Sequence, residues 1–163
     1  MKIKLISTLL CLAFVLSLCA CGGGEYKNDI TPKDLADAIV GAIATSQDFT
    51  APDSDFVDFN MEGASELCTD YCVMLSNINI NINEFGVFRA KSEADAKRVA
   101  EICQSYIDLK TESYTNGPQY LPEEYPKIQN AKVKVYGCYV VYTVLLDSDA
   151  KTVDSLINEK LSK

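Results

Sequence analysis

The sequence predicts an α+β fold: a two-layer sandwich in which a four-stranded, mainly antiparallel sheet has helices packed on it, after an N-terminal lipoprotein signal peptide. Three observations predict it. Glu84–Ala90 carries apolar residues for both faces of a strand, and Ala131–Tyr136 alternates with strand period. Three other segments repeat apolar residues at helical spacing. Gly137-Cys138 separates two strand-like runs by a hairpin-sized gap. The resulting order is helix, strand, strand, helix, strand, strand, helix.

The first element is not part of the domain. Lys2 and Lys4 precede Leu5–Leu18, a run without charge that is interrupted only by Ser7, Thr8 and Ser17. A basic segment before a short apolar one is the layout of an export signal. A spanning helix would need about 20 apolar residues. The run closes on Leu18-Cys19-Ala20-Cys21, followed by Gly22-Gly23-Gly24. A large aliphatic residue, a small residue and then a cysteine resemble the bacterial lipobox. That resemblance implies cleavage after Ala20 and a diacylglycerol thioether on Cys21. Two acyl chains suffice for stable anchoring without a spanning helix. The expected organisation is a lipoprotein signal at 1–20, the lipidated cysteine and a flexible tether at 21–30, and one domain at 31–163. A tether of eight or nine residues has a mean reach of about 15–18 Å, so the domain is expected close to the bilayer.

Thr31-Pro32-Lys33-Asp34 starts a helix, with Thr31 as N-cap and Pro32 at its first position. Leu35, Ala38, Ile39, Ala42 and Ile43 make its apolar face, and it should end near Thr45. Gln47–Asn60 reads as a polar, aspartate-rich loop, with a short helix following from Met61 to about Thr69. Tyr71–Asn77 reads as a strand. The alternation Asn77-Ile78-Asn79-Ile80-Asn81-Ile82-Asn83 has strand period, but asparagine disfavours strand, so its centre is expected to turn. Glu84–Ala90 is a strand with Phe85 and Val87 on one face and Phe88 and Ala90 on the other.

Ser92, with Asp95 three residues on, caps a helix expected to reach Thr111. Its apolar stripe is Ala96, Val99, Ala100, Cys103, Tyr106 and Ile107. Tyr120–Asn130, marked by prolines, reads as a loop. Ala131–Tyr136 is a strand with Lys132 and Lys134 on a wet face. Gly137-Cys138 fits a type II′ turn, and Tyr139–Leu146 is apolar enough to be covered on both faces. Asp147-Ser148-Asp149 opens a last helix that turns Val153, Leu156, Ile157 and Leu161 inward.

Several of these stretches together carry a family resemblance. They are Glu84-Phe85-Gly86-Val87-Phe88, Ser92-Glu93-Ala94-Asp95-Ala96, Tyr120-Leu121-Pro122-Glu123-Glu124 and Val133-Lys134-Val135-Tyr136-Gly137-Cys138-Tyr139-Val140. In that order they resemble an uncharacterised group of Gram-positive, clostridial-type lipoproteins, the domain of unknown function 4358. The resemblance spans roughly Ala64–Leu161 and implies a cell-surface location but no activity. One departure is Cys138, which stands where the hairpin loop of that group commonly has Asn.

Composition narrows the chemistry. The chain has 163 residues, a formal net charge of −8 and no histidine. Without histidine there is no Cys–His or Ser–His–Asp catalysis and no His-containing zinc site. The acidic balance and the lack of any Lys/Arg cluster disfavour nucleic acid. Asp53-Ser54-Asp55-Phe56-Val57-Asp58 superficially resembles a calcium loop, but position six is Asp58 instead of Gly and position twelve is Ala64 instead of Glu.

Cys68, Cys72, Cys103 and Cys138 remain after the lipobox. Free thiols, one disulfide and redox chemistry all fit that count, and Cys68–Cys72 is the pair nearest in sequence. Tyr114, Tyr120 and Tyr125, interleaved with prolines and joined by Glu84, are the candidate surface for a ligand or partner. The alternative for those rings is to lie over the sheet with their hydroxyls wet.

The expected role is a membrane-anchored surface lipoprotein that acts as a non-enzymatic binding or interaction module. Its partners would be the membrane, through the lipid on Cys21, and an unidentified protein, peptide or glycan. No catalytic residue, cofactor or metal is expected. Two alternatives stand beside it: a hydrolase that uses paired carboxylates at the cell envelope, and a cysteine redox lipoprotein.

Overall fold

The computed structural model describes residues 26–43, 49–78, 80–116 and 121–163; the expected signal and Cys21 lie outside them. The elements run α1 (Pro32–Ala42), β1 (Phe49–Thr50), α2 (Phe56–Asn60), α3 (Ala64–Leu67), β2 (Cys68–Ser76), β3 (Glu84–Ala90), α4 (Glu93–Asn116), a 3₁₀ turn (Pro122–Glu124), α5 (Tyr125–Gln129), β4 (Lys132–Tyr136), β5 (Tyr139–Val144) and α6 (Asp147–Leu161). The strands form one antiparallel sheet in the order β1-β2-β3-β5-β4. The α+β class with helices on an antiparallel sheet is therefore the one expected. The sheet has five strands instead of four because Phe49 and Thr50 pair with Ser76 and Leu75 at its edge.

Helices cover both faces, which makes three layers where two were expected. On one side α1 and α6 bury Leu35, Ile39, Val153 and Ile157 against Phe85, Val87, Tyr139 and Val141. On the other, α4 and the short α2 and α3 bury Val57, Ala64, Val99 and Cys103 against Phe88, Val140 and Tyr142. The physical reason is in the strands. Both faces of β3 and β5 are apolar, so a single helical layer would leave one face wet.

Local chemistry sets the ends of the elements. The Thr31 hydroxyl accepts from the Asp34 N–H at 3.1 Å and donates to its carboxylate at 2.7 Å, and Ser92 does the same with Asp95 at 3.1 and 2.7 Å. The buried side of α1 is turned toward Ala36, which is fully buried, while Ala42 is exposed. α4 continues past Thr111 to Asn116. Residues 122–129, expected as a loop, form the 3₁₀ turn and α5, with Pro122 and Pro126 in first-turn positions that need no N–H donor.

In the β4–β5 hairpin, Tyr136 pairs with Tyr139 and Gly137 has φ +60°, while no described non-glycine residue has positive φ. That combination is the expected type II′ turn, since type I′ would need positive φ at Cys138 as well. The lysine face of β4 is wet, as expected, and runs beside α6: Lys132 pairs with Asp147 and Lys134 with Asp154, and both lysine side chains stay more than 40% exposed.

The folded chain begins earlier than expected. Tyr26 bridges to Ser162, and the Lys27 N–H donates to the Leu161 carbonyl at 2.7 Å. Residues 26–30 thus belong to the domain instead of the tether.

Candidate functional site

At the end of the sheet where β3 begins, polar groups converge under α4. Glu84 is the first residue of β3, and strand alternation points it to the α4 side with Gly86 and Phe88. Its side chain is 3% exposed. One carboxylate oxygen accepts from the Tyr142 hydroxyl at 2.5 Å, and the other accepts from the Lys110 ammonium. Lys110 also donates to the Tyr106 hydroxyl at 2.9 Å and sits 5.0 Å from the centroid of that ring. Tyr142 reaches Glu84 by crossing β3 flat over Gly86. A Cβ at that glycine would lie 2.3 Å from Tyr142 Cε1.

Electrostatics agrees with the geometry. Burial, and then the Glu84 charge, push the Tyr106 and Tyr142 phenols well above their ordinary range, so both stay protonated donors. The rings of Tyr106 and Tyr142 meet edge-on at 5.9 Å, and Phe88 and Phe56 extend the aromatic contact on either side. The cluster is thus a closed Glu–Lys–Tyr–Tyr network roofed by rings.

A second layer fixes the turn between β2 and β3. Glu124 accepts from the Ile82 N–H at 3.0 Å and from the buried Lys127 ammonium at 2.6 Å. Lys127 also reaches Asn81 Oδ1 at 3.3 Å, and that oxygen accepts from the Asn83 N–H at 2.8 Å. The Asn-Ile repeat therefore turns, as its composition suggested, and α5 holds the turn in place. The Asn83 amide is 2% exposed and has no hydrogen-bond partner among the described residues.

The residues expected to form a surface are only partly brought together. Tyr114 is half-buried near the end of α4, and burial together with the Glu124 charge raises its phenol. The Tyr125 hydroxyl lies 3.2 Å from that of Thr115. Glu84 lies beneath this end of the molecule, closed off by Lys110 and Tyr142. Tyr120 and Cys21 lie outside the described residues. Lys110, Tyr106 and Tyr142 were not singled out from sequence. The available signal was that Lys110 continues the stripe Ala96, Val99, Cys103, Tyr106 at helical spacing, a charged residue on a buried face.

The Cys68–Cys72 disulfide does not form. A register shift between Cys68 and Asp70 inserts one residue into β2, which puts Cys68 against the α4-side core and Cys72 against the α1-side core. Four residues along a strand also span about 13 Å, beyond the roughly 7 Å that a disulfide bridges. Cys68, Cys72 and Cys103 are free thiols. Burial raises the Cys68 thiol to about 11 and pushes Cys72 and Cys103 up as well, away from the thiolate that redox chemistry uses. At pH 8, of these three thiols in native protein, half-exposed Cys72 should alkylate first, then slowly Cys68, and Cys103 only on unfolding. Peptide mass mapping over time would read this order.

The fold and this site define a class: a small α+β domain whose open antiparallel sheet is sealed at one end by a buried acid–base–phenol network. The chain belongs to the family described as domain of unknown function (DUF4358), whose model matches residues 64–145, just over half of the chain. The matched stretch runs from α3 through β5 and contains Glu84, Tyr106, Lys110, Glu124, Lys127 and Tyr142, while α1 and α6 lie outside it. It begins where the sequence resemblance does and ends before α6. No curated protein and no solved structure matches the chain.

Proposed function

We propose that this member of the family is a lipid-anchored domain on the extracytoplasmic face of a membrane, where it binds a partner and does not turn over a substrate. The carrying observation is the lipobox-like Leu18-Cys19-Ala20-Cys21, set shortly before Tyr26, the first described residue, which already bridges to Ser162. Two features support binding over catalysis. Glu84, the carboxylate with the most convergent polar surroundings, has both oxygens engaged and its side chain only 3% exposed, which suits a strut better than a general acid or base. Cys68, Cys72 and Cys103 have raised thiol pKa values, which disfavours the redox alternative for them.

Native protein isolated with its own leader should enter the detergent phase on partition. Cys21→Ser should leave the leader uncleaved and the N-terminal segment without lipid mass, as read by mass spectrometry. Wild-type protein that stays aqueous with an unmodified Cys21 would refute anchoring. Hydrolytic turnover that co-purifies with the protein and is lost on one carboxylate substitution would refute the binding reading.

A further inference from the structure

If Cys21 is the anchor, as proposed above, the entry of the chain into the fold also fixes which way the domain faces. Tyr26 bridges to Ser162 and packs edge-on against Tyr136 at 5.8 Å. The Tyr139 hydroxyl donates to the Ile30 carbonyl at 2.6 Å, and Arg89 reaches the Asn28 carbonyl. All of these partners lie at one end of the sheet. That end comprises the Gly137-Cys138 hairpin tip, the last turn of α6 and the β3–α4 junction, where the Ala90 N–H donates to the Cys138 carbonyl at 2.9 Å. Glu84, the Asn77–Asn83 turn and the end of α4 lie at the other.

From Cys21 to Tyr26 the chain takes five Cα–Cα steps, which span about 18 Å at most when fully extended. Strand β2 and helix α4 each run about 30 Å or more between the two ends. Charge favours the same direction. Lys27, Arg89, Lys91, Lys160 and Lys163 lie at the hairpin end and match its acids Asp29, Glu66, Asp70, Glu93 and Glu159 in number, in a chain whose formal net charge is −8. An anionic leaflet therefore repels this end least.

We propose that the domain stands end-on, with the hairpin tip and the C-terminal turn of α6 as its foot on the lipid headgroup layer. The opposite end, with Ile80, Tyr114 and Tyr125, is then held away from lipid.

The chain contains no tryptophan, so a single introduced one is a clean reporter. Lys91→Trp and Ser162→Trp mark the foot at exposed positions, and Ile80→Trp marks the far end, where Ile80 is 66% exposed. Each full-length variant, purified from membranes, is reconstituted into phosphatidylcholine–phosphatidylglycerol vesicles that carry dansyl-headgroup lipid. Energy transfer from the two foot positions should be several-fold stronger than from Ile80→Trp. Equal transfer from both ends, or stronger transfer from Ile80→Trp, in protein that floats with the vesicles would overturn the orientation and leave the anchoring intact. Protein that fails to float with the vesicles would overturn the anchoring, and the orientation with it.

Discussion

Gly86→Ala should unfold the domain at markedly lower denaturant, with a loss of about 3 kcal/mol or more, at the upper end of what overpacking a core costs. The position is not a turn, and its backbone asks nothing special of glycine. What it requires is the absence of a side chain. Gly86 pairs with Tyr142 across the β3–β5 ladder, and the added methyl would sit 2.3 Å from one ring carbon of Tyr142 and 3.0 Å from another and from Phe88 Cε2. Neither ring can step aside, since both are fully buried, with Phe88 stacked on Tyr71 and tilted against Tyr142, and Tyr142 edge-on to Tyr106. Displacing Tyr142 would also pull its hydroxyl from Glu84. The control is Gly41→Ala in α1, where an added Cβ meets nothing within 4 Å and helix propensity favours alanine. That variant should be neutral or slightly stabilising. Chemical denaturation with unchanged m-values would read both.

What could be read from sequence, and what could not, divides along the range of the interactions. The Thr31 and Ser92 caps, the two-residue hairpin at Gly137-Cys138 and the two-faced β3 were legible because each is settled within a few residues. Phe49-Thr50 was not, because a two-residue strand has no period and exists only through its pairing with Ser76 and Leu75. The second helical layer was only half legible, in the expected cover on both faces of Tyr139–Leu146, for a related reason. Amphipathic stripes say that α1, α4 and α6 each bury a face, but not which side of the sheet they choose. The state of the cysteines stayed open because one inserted residue in β2, invisible in the sequence, reverses which face Cys68 occupies. In the site, Glu84 was noticed as the head of a strand, yet Lys110 lies 26 positions away and its register against β3 follows only from the packing of α4.

Glu84→Ala should cost about 3–5 kcal/mol, the range for removing one partner of a buried ion pair. The loss has two parts beyond the vacated volume. The Tyr142 hydroxyl, fully buried, is left without its acceptor, and the Lys110 ammonium loses the carboxylate that holds it at the mouth of the core. Glu84→Gln keeps an acceptor for Tyr142 and should cost less. The informative variant removes the whole network, with Glu84→Leu, Lys110→Met and Tyr142→Phe combined. Since desolvating charges offsets much of what their pairing returns, this apolar triple should recover most of the stability lost by Glu84→Ala. A triple variant as unstable as the single would mean that the network contributes directional bonding which apolar packing cannot replace. Recovery would instead mean that the family-matched segment keeps an ion pair where an apolar core would serve stability as well. The charge would then matter for the geometry of the end it closes, where Lys127, Glu124 and Asn81 hold the outward turn by the same kind of bond.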